Sequence, residues 1–274
     1  MPVRRKSILL FRGNFNLRRN RRARRRMERE PEQTERLAKT MAARGLCSRR
    51  EADGYIANGW VYVDGARAEV PYLRVGPEQV ITLDPAASGA QTGKVTVLLN
   101  KPVGYVSGQP EKGYRPAVEL VTPENRFSGD AAPLRFEWAH LKGLAPAGRL
   151  DIDSHGLLVF TQDGRVARRL VGGTGEVDKE YLVRVEGEIT EAKLGLLRFG
   201  LELDGRQLRP AEVALQHPGL LHFVLREGRK RQIRRMCAAV GLTVTGLKRV
   251  RIGGVRLENL PEGQWRYLAP GENF

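Results

Sequence analysis

The chain has 274 residues, 41% of them hydrophobic, enough to bury a sizeable core and long enough for two domains. It has no apolar run of bilayer-spanning length, so a soluble protein is expected, and its net charge of +16 points to a polyanionic partner, with nucleic acid the first candidate. Two cysteines, Cys47 and Cys237, are too few for a disulfide framework and suggest a reducing cytoplasm; four scattered histidines show no ligand spacing, so no metal is expected.

Ten of the sixteen net positive charges lie in residues 1–30, which carry twelve basic side chains against Glu28 and Glu30. Without apolar periodicity, residues 1–33 are expected to be a disordered, phosphate-binding tail. A transit peptide is the rival reading, although Ser7 is its only serine, and a start at Met27 is a third.

Residues 34–84 read as a compact unit. Leu37, Ala38, Met41 and Ala42 recur at helical spacing up to Gly45, and Ser48-Arg49-Arg50-Glu51 has the form of a capping box opening a second helix. Asn58-Gly59 turns the chain into a strand, Trp60-Val61-Tyr62-Val63, and Asp64-Gly65 is a further turn signal. Arg44, Arg49 and Arg50 cluster at the helix junction, where they are candidates for clamping a phosphate backbone; the alternative is an ordinary solvated face. Residues 85–93, rich in Ala, Ser and Gly, read as a flexible linker.

From Lys94 to the end, strand signals alternate with a few helices, which predicts an α+β sheet domain over 94–274. Val95–Leu99 is a buried strand ending in Lys101-Pro102-Val103-Gly104. Glu111 to Leu144 lacks periodicity and reads as a long surface excursion. Gly148-Arg149-Leu150-Asp151-Ile152-Asp153-Ser154 precedes an apolar strand, a place where a loop carboxylate can be held on a rigid scaffold. Asp and Ser in such a turn ordinarily serve only to bond their own backbone. A short helix is predicted from Gly164 to Leu170, and strands over Lys179–Val185 and Leu221–Leu225. Ile233, Met236, Cys237 and Val240 mark a helix that Gly241 ends.

Two resemblances join these segments. Arg36 to Gly45, Ser48 to Ala52 and Val61 to Gly65 resemble the alpha-L RNA-binding module first described in a small-subunit ribosomal protein. Lys101-Pro102, Gly148 to Gly156, Lys179-Glu180-Tyr181 and Arg229 to Met236 resemble, in order and spacing, the motifs of pseudouridine synthases of the RsuA/RluB/RluE/RluF group, most closely the RluF branch. That resemblance implies a mixed, largely antiparallel sheet domain that converts uridine to pseudouridine by base flipping, without cofactor or metal. It implies Asp151 as nucleophile, Tyr181 stacked on the uracil, and Arg234 paired with Asp151, leaving Asp153 a turn residue. Arg149 is assigned to holding the flipped base's space, Leu257 to a hydrophobic wall, and Lys101 and Pro102 to the floor of the site. Arg229, Lys230, Arg231 and Arg235 join the small unit in gripping RNA. The expected partner is ribosomal RNA or a pre-ribosomal large subunit, bound by a cytoplasmic monomer. A noncatalytic ribosome-assembly factor is the alternative, as is the same chemistry on tRNA or small-subunit rRNA. The 112–144 segment and the basic N-terminal extension depart from the compact members of the group.

Overall fold

Residues 34–110, 113–171 and 177–274 are described by a computed structural model of the chain. The basic segment 1–33, and with it the expectation of a disordered tail, lies outside the described residues.

Leu37 and Met41 share the buried side of α1 (Leu37–Ala43), and Gly45 leaves that helix at φ +73°. Both arms of the expected capping box form at α2 (Arg49–Ala57): the Glu51 amide donates to the Ser48 hydroxyl, and the Ser48 amide to the Glu51 carboxylate. Three short antiparallel strands follow, β1 (Val61–Val63), β2 (Ala66–Arg67) and β3 (Ile81–Leu83), in the order β2-β1-β3. Asp64 and Gly65 both take positive φ, the tight hairpin turn that an Asp-Gly pair favours.

The expected flexible linker is instead largely a helix, α3 (Pro85–Thr92). Pro85 stands at the first helical position and the Asp84 carboxylate accepts from the Ala86 amide, while Ala87 is wholly buried in the core formed by α1, α2 and β1. The buried alanine and the carboxylate cap tie down a stretch whose composition reads as loop.

Seven strands make the backbone of the larger sheet: β4 (Thr96–Lys101), β5 (His155–Thr161), β6 (Lys179–Glu186), β7 (Glu212–His217), β8 (Leu220–Leu225), β9 (Thr243–Ile252) and β10 (Trp265–Tyr267). Their order is β7-β8-β6-β9-β5-β4-β10, and every neighbouring pair is antiparallel except β9 with β5. Helices α4 (Gly164–Val171), α5 (Glu191–Arg198) and α6 (Gln232–Ala239) interrupt it. The mixed, mostly antiparallel α+β architecture is the one expected. Alternate residues of β4 and β5 feed opposite cores: Leu99, Leu158 and Phe160 pack with Tyr181 and Phe223, whereas Leu98, Leu157 and Val159 pack with Ile252 and Leu257.

The segment read as a surface excursion belongs to this body. Ala117, Val121 and Ala132 are buried in the main core, the Trp265 indole donates to the Thr122 carbonyl, and Arg126 lies over the Tyr267 ring. Short 3-10 turns carry these contacts, so no regular apolar period betrays them.

Candidate active site

The Gly148–Ser154 loop delivers Asp151 to the entrance of β5. Gly148 sits at φ +104°, and a tight turn closes with the Ser154 amide on the Asp151 carbonyl at 3.1 Å. Beneath it, the Ser107 hydroxyl accepts from the Leu150 amide at 2.9 Å and donates to the Leu150 carbonyl at 2.8 Å, while the Gly104 amide reaches the Ile152 carbonyl at 2.9 Å. Lys101 is fully buried and donates to the carbonyls of Pro102 and Tyr105 at 2.8 and 2.9 Å. Burial pushes its ammonium pKa down to about 8, against the opposing pull of Asp151. Lys101 and Pro102, expected at the floor of the site, are not among the residues that line the cleft; Lys101 holds the Pro102–Tyr105 turn, whose Gly104 amide meets the loop at the Ile152 carbonyl.

A cleft of about 730 Å³ opens in front of the loop, lined by Asp151, Arg149, Tyr181, Arg231 and Arg234 among others. Tyr181, on β6, is largely buried and stands opposite Phe223 of β8 and Arg249 of β9. Leu257, the expected hydrophobic wall, is not among the residues that line it, although it lies in the apolar cluster of Leu98 and Ile252, and Ile252 does line the cleft. Leu247, on β9, lines the cleft with Leu225, Ile233 and Ile252. The two leucines sit ten residues apart on either side of the β9 turn, and only strand pairing tells which faces the cleft.

The expected pairing of Arg234 with Asp151 is also not what forms. Arg234 donates to the Asp153 carbonyl at 2.8 Å and the Val244 carbonyl at 3.0 Å, and its Nε lies 3.3 Å from the Asp153 carboxylate. Asp153, read as a turn residue, is gripped in addition by both Nη atoms of Arg231, at 3.0 and 2.8 Å. Burial alone would raise the Asp153 pKa, but the hydrogen bond from Arg231 and the charges of Arg234 and Arg231 carry it below the ordinary value. The side chain of Asp151 has no hydrogen-bond or ion-pair partner among the described residues. It projects into the cleft half-buried, coupled through space to Arg231 and Lys101.

Sequence reasoning missed Arg249. It is 3% exposed and lines the cleft; its Nε donates to the Leu157 carbonyl at 2.7 Å and Nη1 to the Arg149 carbonyl at 3.3 Å. Its Nη2 is buried without a partner among the described residues. The only sequence signal was a basic residue in the interior of a strand.

The basic residues expected to grip RNA divide into two kinds. Arg49, Arg50 and Lys230 are exposed and have no hydrogen-bond or ion-pair partner among the described residues. Arg44, although exposed, is a staple: its guanidinium donates to the carbonyls of Gly76, Pro77 and Gln79. Arg229 is tied to the Leu203, Arg206 and Gln207 carbonyls, and Arg235 forms a two-armed pair with Asp204. These two clamp the Glu202–Leu203/Arg206–Gln207 hairpin against α6. Arg169, Arg206 and Arg226, not foreseen, line the cleft beside Arg149. The described residues hold no cluster of three or more His, Cys, Asp or Glu suited to a metal ion, and no helix among them is long and apolar enough to cross a membrane.

Comparison with known proteins adds what geometry does not supply. The RNA pseudouridylate synthase family pattern matches residues 95–239, and the S4 domain pattern matches residues 35–81. The dual-specificity RNA pseudouridine synthase RluF of Escherichia coli strain K12 is 34% identical over 244 residues, covering 88% of this chain and 78% of that protein. The ribosomal large subunit pseudouridine synthase B of Pseudomonas aeruginosa is 35% identical over 245 residues, covering 85% of this chain and 59% of that protein. A crystal structure of a pseudouridylate synthase superposes with a TM-score of 0.58 at 26% identity, covering 85% of this chain and 96% of the other.

Proposed function

The chain belongs to the RNA pseudouridylate synthase family, and from that membership we propose that it isomerises a uridine of large-subunit ribosomal RNA with Asp151 as nucleophile. Residues 94–274 carry the chemistry in this reading, and residues 34–84 hold RNA. The observation that carries it is the placement of Asp151: an unpaired carboxylate on a braced loop, opposite a largely buried tyrosine, in a cleft rimmed by arginines. The reaction breaks the bond between the ribose anomeric carbon and N1 of uracil, forms a bond from that carbon to C5, and moves a proton from C5 to N1. It needs a nucleophile and proton transfer, with no net redox change.

The target base has to leave its stack to reach Asp151, and the cleft volume suits a single flipped nucleotide. Tyr181 offers a ring face for the uracil and a hydroxyl for proton movement, while Leu247 and Ile233 exclude water from the ring. Arg149 lies beside the entry point and Arg231 and Lys230 at the rim, positions suited to phosphates flanking the extruded nucleotide. Arg49 and Arg50, free at the start of α2, extend the grip to the small unit.

The test is conversion of unmodified large-subunit rRNA by purified protein without added cofactor, with the products mapped by position. Uridine is expected to become pseudouridine at a defined site, and Asp151→Asn is expected to abolish turnover. Full turnover by Asp151→Asn would overturn the nucleophile assignment. Transfer RNA in a parallel arm tests the substrate, because the RluF relatives carry a dual-specificity name.

A further inference from the structure

We propose that Asp153 is a positioning residue that holds Arg231 in reserve for the RNA backbone and, on its release, fixes Arg234 in the cleft that Asp151 also lines. The proposal rests on the reading of Asp151 as the nucleophile of an RNA pseudouridine synthase.

One carboxylate, two residues beyond Asp151, serves two arginines from the same turn into α6. Arg231 grips it with both arms, whereas Arg234 stands 3.3 Å from Oδ2 with its Nε. The two sit differently. The Arg231 side chain is 43% exposed at the rim, as is Asp153 at 44%, but Arg234 is 13% exposed. The Arg234 Nε is buried and makes no properly formed hydrogen bond, because Asp153 is turned toward Arg231. Two other contacts, Nη2 to the Asp153 carbonyl and Nη1 to the Val244 carbonyl, tether Arg234 whatever the carboxylate does.

Arg231 occupies its place at some conformational cost. It precedes α6 at φ +53°, in the left-handed region that a non-glycine residue rarely enters without a compensating contact. The two-armed pair with Asp153 is the side-chain contact that Arg231 makes there. An ion pair this open to water contributes little net stability, and the guanidinium fork fits a phosphate as well as it fits a carboxylate. A backbone phosphate arriving at the cleft can therefore take Arg231 from Asp153 at small cost. The carboxylate is then left to Arg234, whose unsatisfied Nε is already within reach. RNA docking at the rim and ordering of Arg234 in the cleft that Asp151 lines become one event. The neighbouring arginines do not share this arrangement: Arg229 is tied to hairpin carbonyls and Arg235 to Asp204.

The signature is that affinity and rate move in opposite directions. Asp153→Asn keeps the shape and removes the charge, so Arg231 is freed for phosphate while the Arg234 Nε loses its charged partner and keeps only the tethers of its Nη atoms to the Asp153 and Val244 carbonyls. The expected result with the substrate rRNA fragment is binding tightened severalfold, with the salt dependence steeper by roughly one released counterion. The single-turnover rate at saturating RNA is expected to fall tenfold or more. Adding Arg231→Gln should cancel the gain in affinity. Arg231→Gln alone should cost less in rate than Asp153→Asn, and it should weaken binding and lower the salt dependence by roughly one counterion, an expectation that remains testable even if Asp153→Asn fails to fold. Binding weakened by Asp153→Asn, a rate within twofold of the unsubstituted protein, or a larger rate loss from Arg231→Gln would each overturn the proposal. Failure of the underlying reading is separable: a protein that makes pseudouridine, loses it in Asp151→Asn, and is indifferent to Asp153→Asn keeps the nucleophile and discards the Asp153 assignment.

Discussion

Gly156 on β5 lies so close to Arg249 on β9 that a β-carbon there would meet the Arg249 carbonyl oxygen at 2.3 Å and its amide nitrogen at 2.8 Å. These residues face each other in a parallel ladder of only two pairs, His155 with Lys248 and Gly156 with Arg249, and that ladder joins the Asp151 side of the sheet to the Tyr181 side. Gly156 also takes φ +103°. Gly156→Ala therefore combines a backbone clash with a disfavoured dihedral, and the strands must part to admit it. The expected loss of unfolding free energy is on the order of 3 kcal/mol, read by urea denaturation. A loss below about 1 kcal/mol would show that the seam yields more easily than its geometry implies.

Arg249 makes the same seam matter for catalysis. Its guanidinium spans the Leu157 carbonyl and the Arg149 carbonyl, the latter two residues before Asp151. Arg249→Met leaves two inward-facing carbonyls without donors, a destabilisation of roughly 2–4 kcal/mol. The loop then loses its tie to β9, so kcat is expected to fall by tenfold or more while KM changes by less than threefold, because the rim arginines are untouched. Arg249→Lys, able to reach one carbonyl, should recover part of kcat. A variant that lost only stability and kept kcat would reduce Arg249 to a core residue.

How much of this was legible beforehand depends on how local the signal is. The capping box at Ser48 and Glu51, the Asp64-Gly65 turn and the helix ended by Gly241 rest on contacts within a few residues, and each forms where the spacing places it. The family motifs likewise bring Asp151, Tyr181 and Arg234 to one cleft. Contacts across the sheet were not legible. Nothing local distinguishes Leu247 from Leu257 as the cleft wall, nor shows that Arg234 reaches Asp153 rather than Asp151. The ten-residue strand β9 was passed over because Thr243 to Ile252 mixes lysine and arginine with its apolar residues. Its buried Arg249 is satisfied only by carbonyls nearly a hundred residues away in the chain. Arg44 and Arg229 likewise reach main-chain carbonyls outside their own elements, in the Gly76–Gln79 turn and the Glu202–Gln207 hairpin, which composition cannot pair with them.

The docking of the small unit offers a third test. A β-carbon on Gly164, the first residue of α4, would fall 2.0 Å from Ser48 Cβ and 2.8 Å from the Glu51 carboxylate, and Glu51 also pairs with Lys94. Gly164→Ala should push α2 away from α4 and break that ion pair without entering either core. The melting temperature is expected to fall by several degrees, since the side chains of this pair are only 16% and 17% exposed and parting them leaves two charges uncompensated. Affinity for a long rRNA fragment should drop by about threefold to tenfold, because Arg49 and Arg50 no longer present at a fixed distance from the cleft. A short stem-loop that reaches only the cleft should bind as before. Equal loss for both RNAs would mean that the contact supports the catalytic domain itself.

Lys101 gives the chain a dependence on pH with a definite sign. Its ammonium is buried with a pKa near 8, below the ordinary lysine value of 10.5, so the folded state binds fewer protons than the unfolded state between those values. Unfolding then takes up a proton, and stability rises with pH across that window; below pH 8 both states carry the charge and this contribution is flat. The full span corresponds to about 3 kcal/mol, an upper figure because the ammonium also donates to the carbonyls of Pro102 and Tyr105. Lys101→Met removes the titrating group, so the difference in unfolding free energy between the native protein and this variant should grow in favour of the native protein from pH 8 to pH 10. Chemical denaturation at half-unit intervals reads that difference directly. Parallel curves for the two proteins would place the lysine pKa outside this range and show that its ammonium is better solvated than its burial implies.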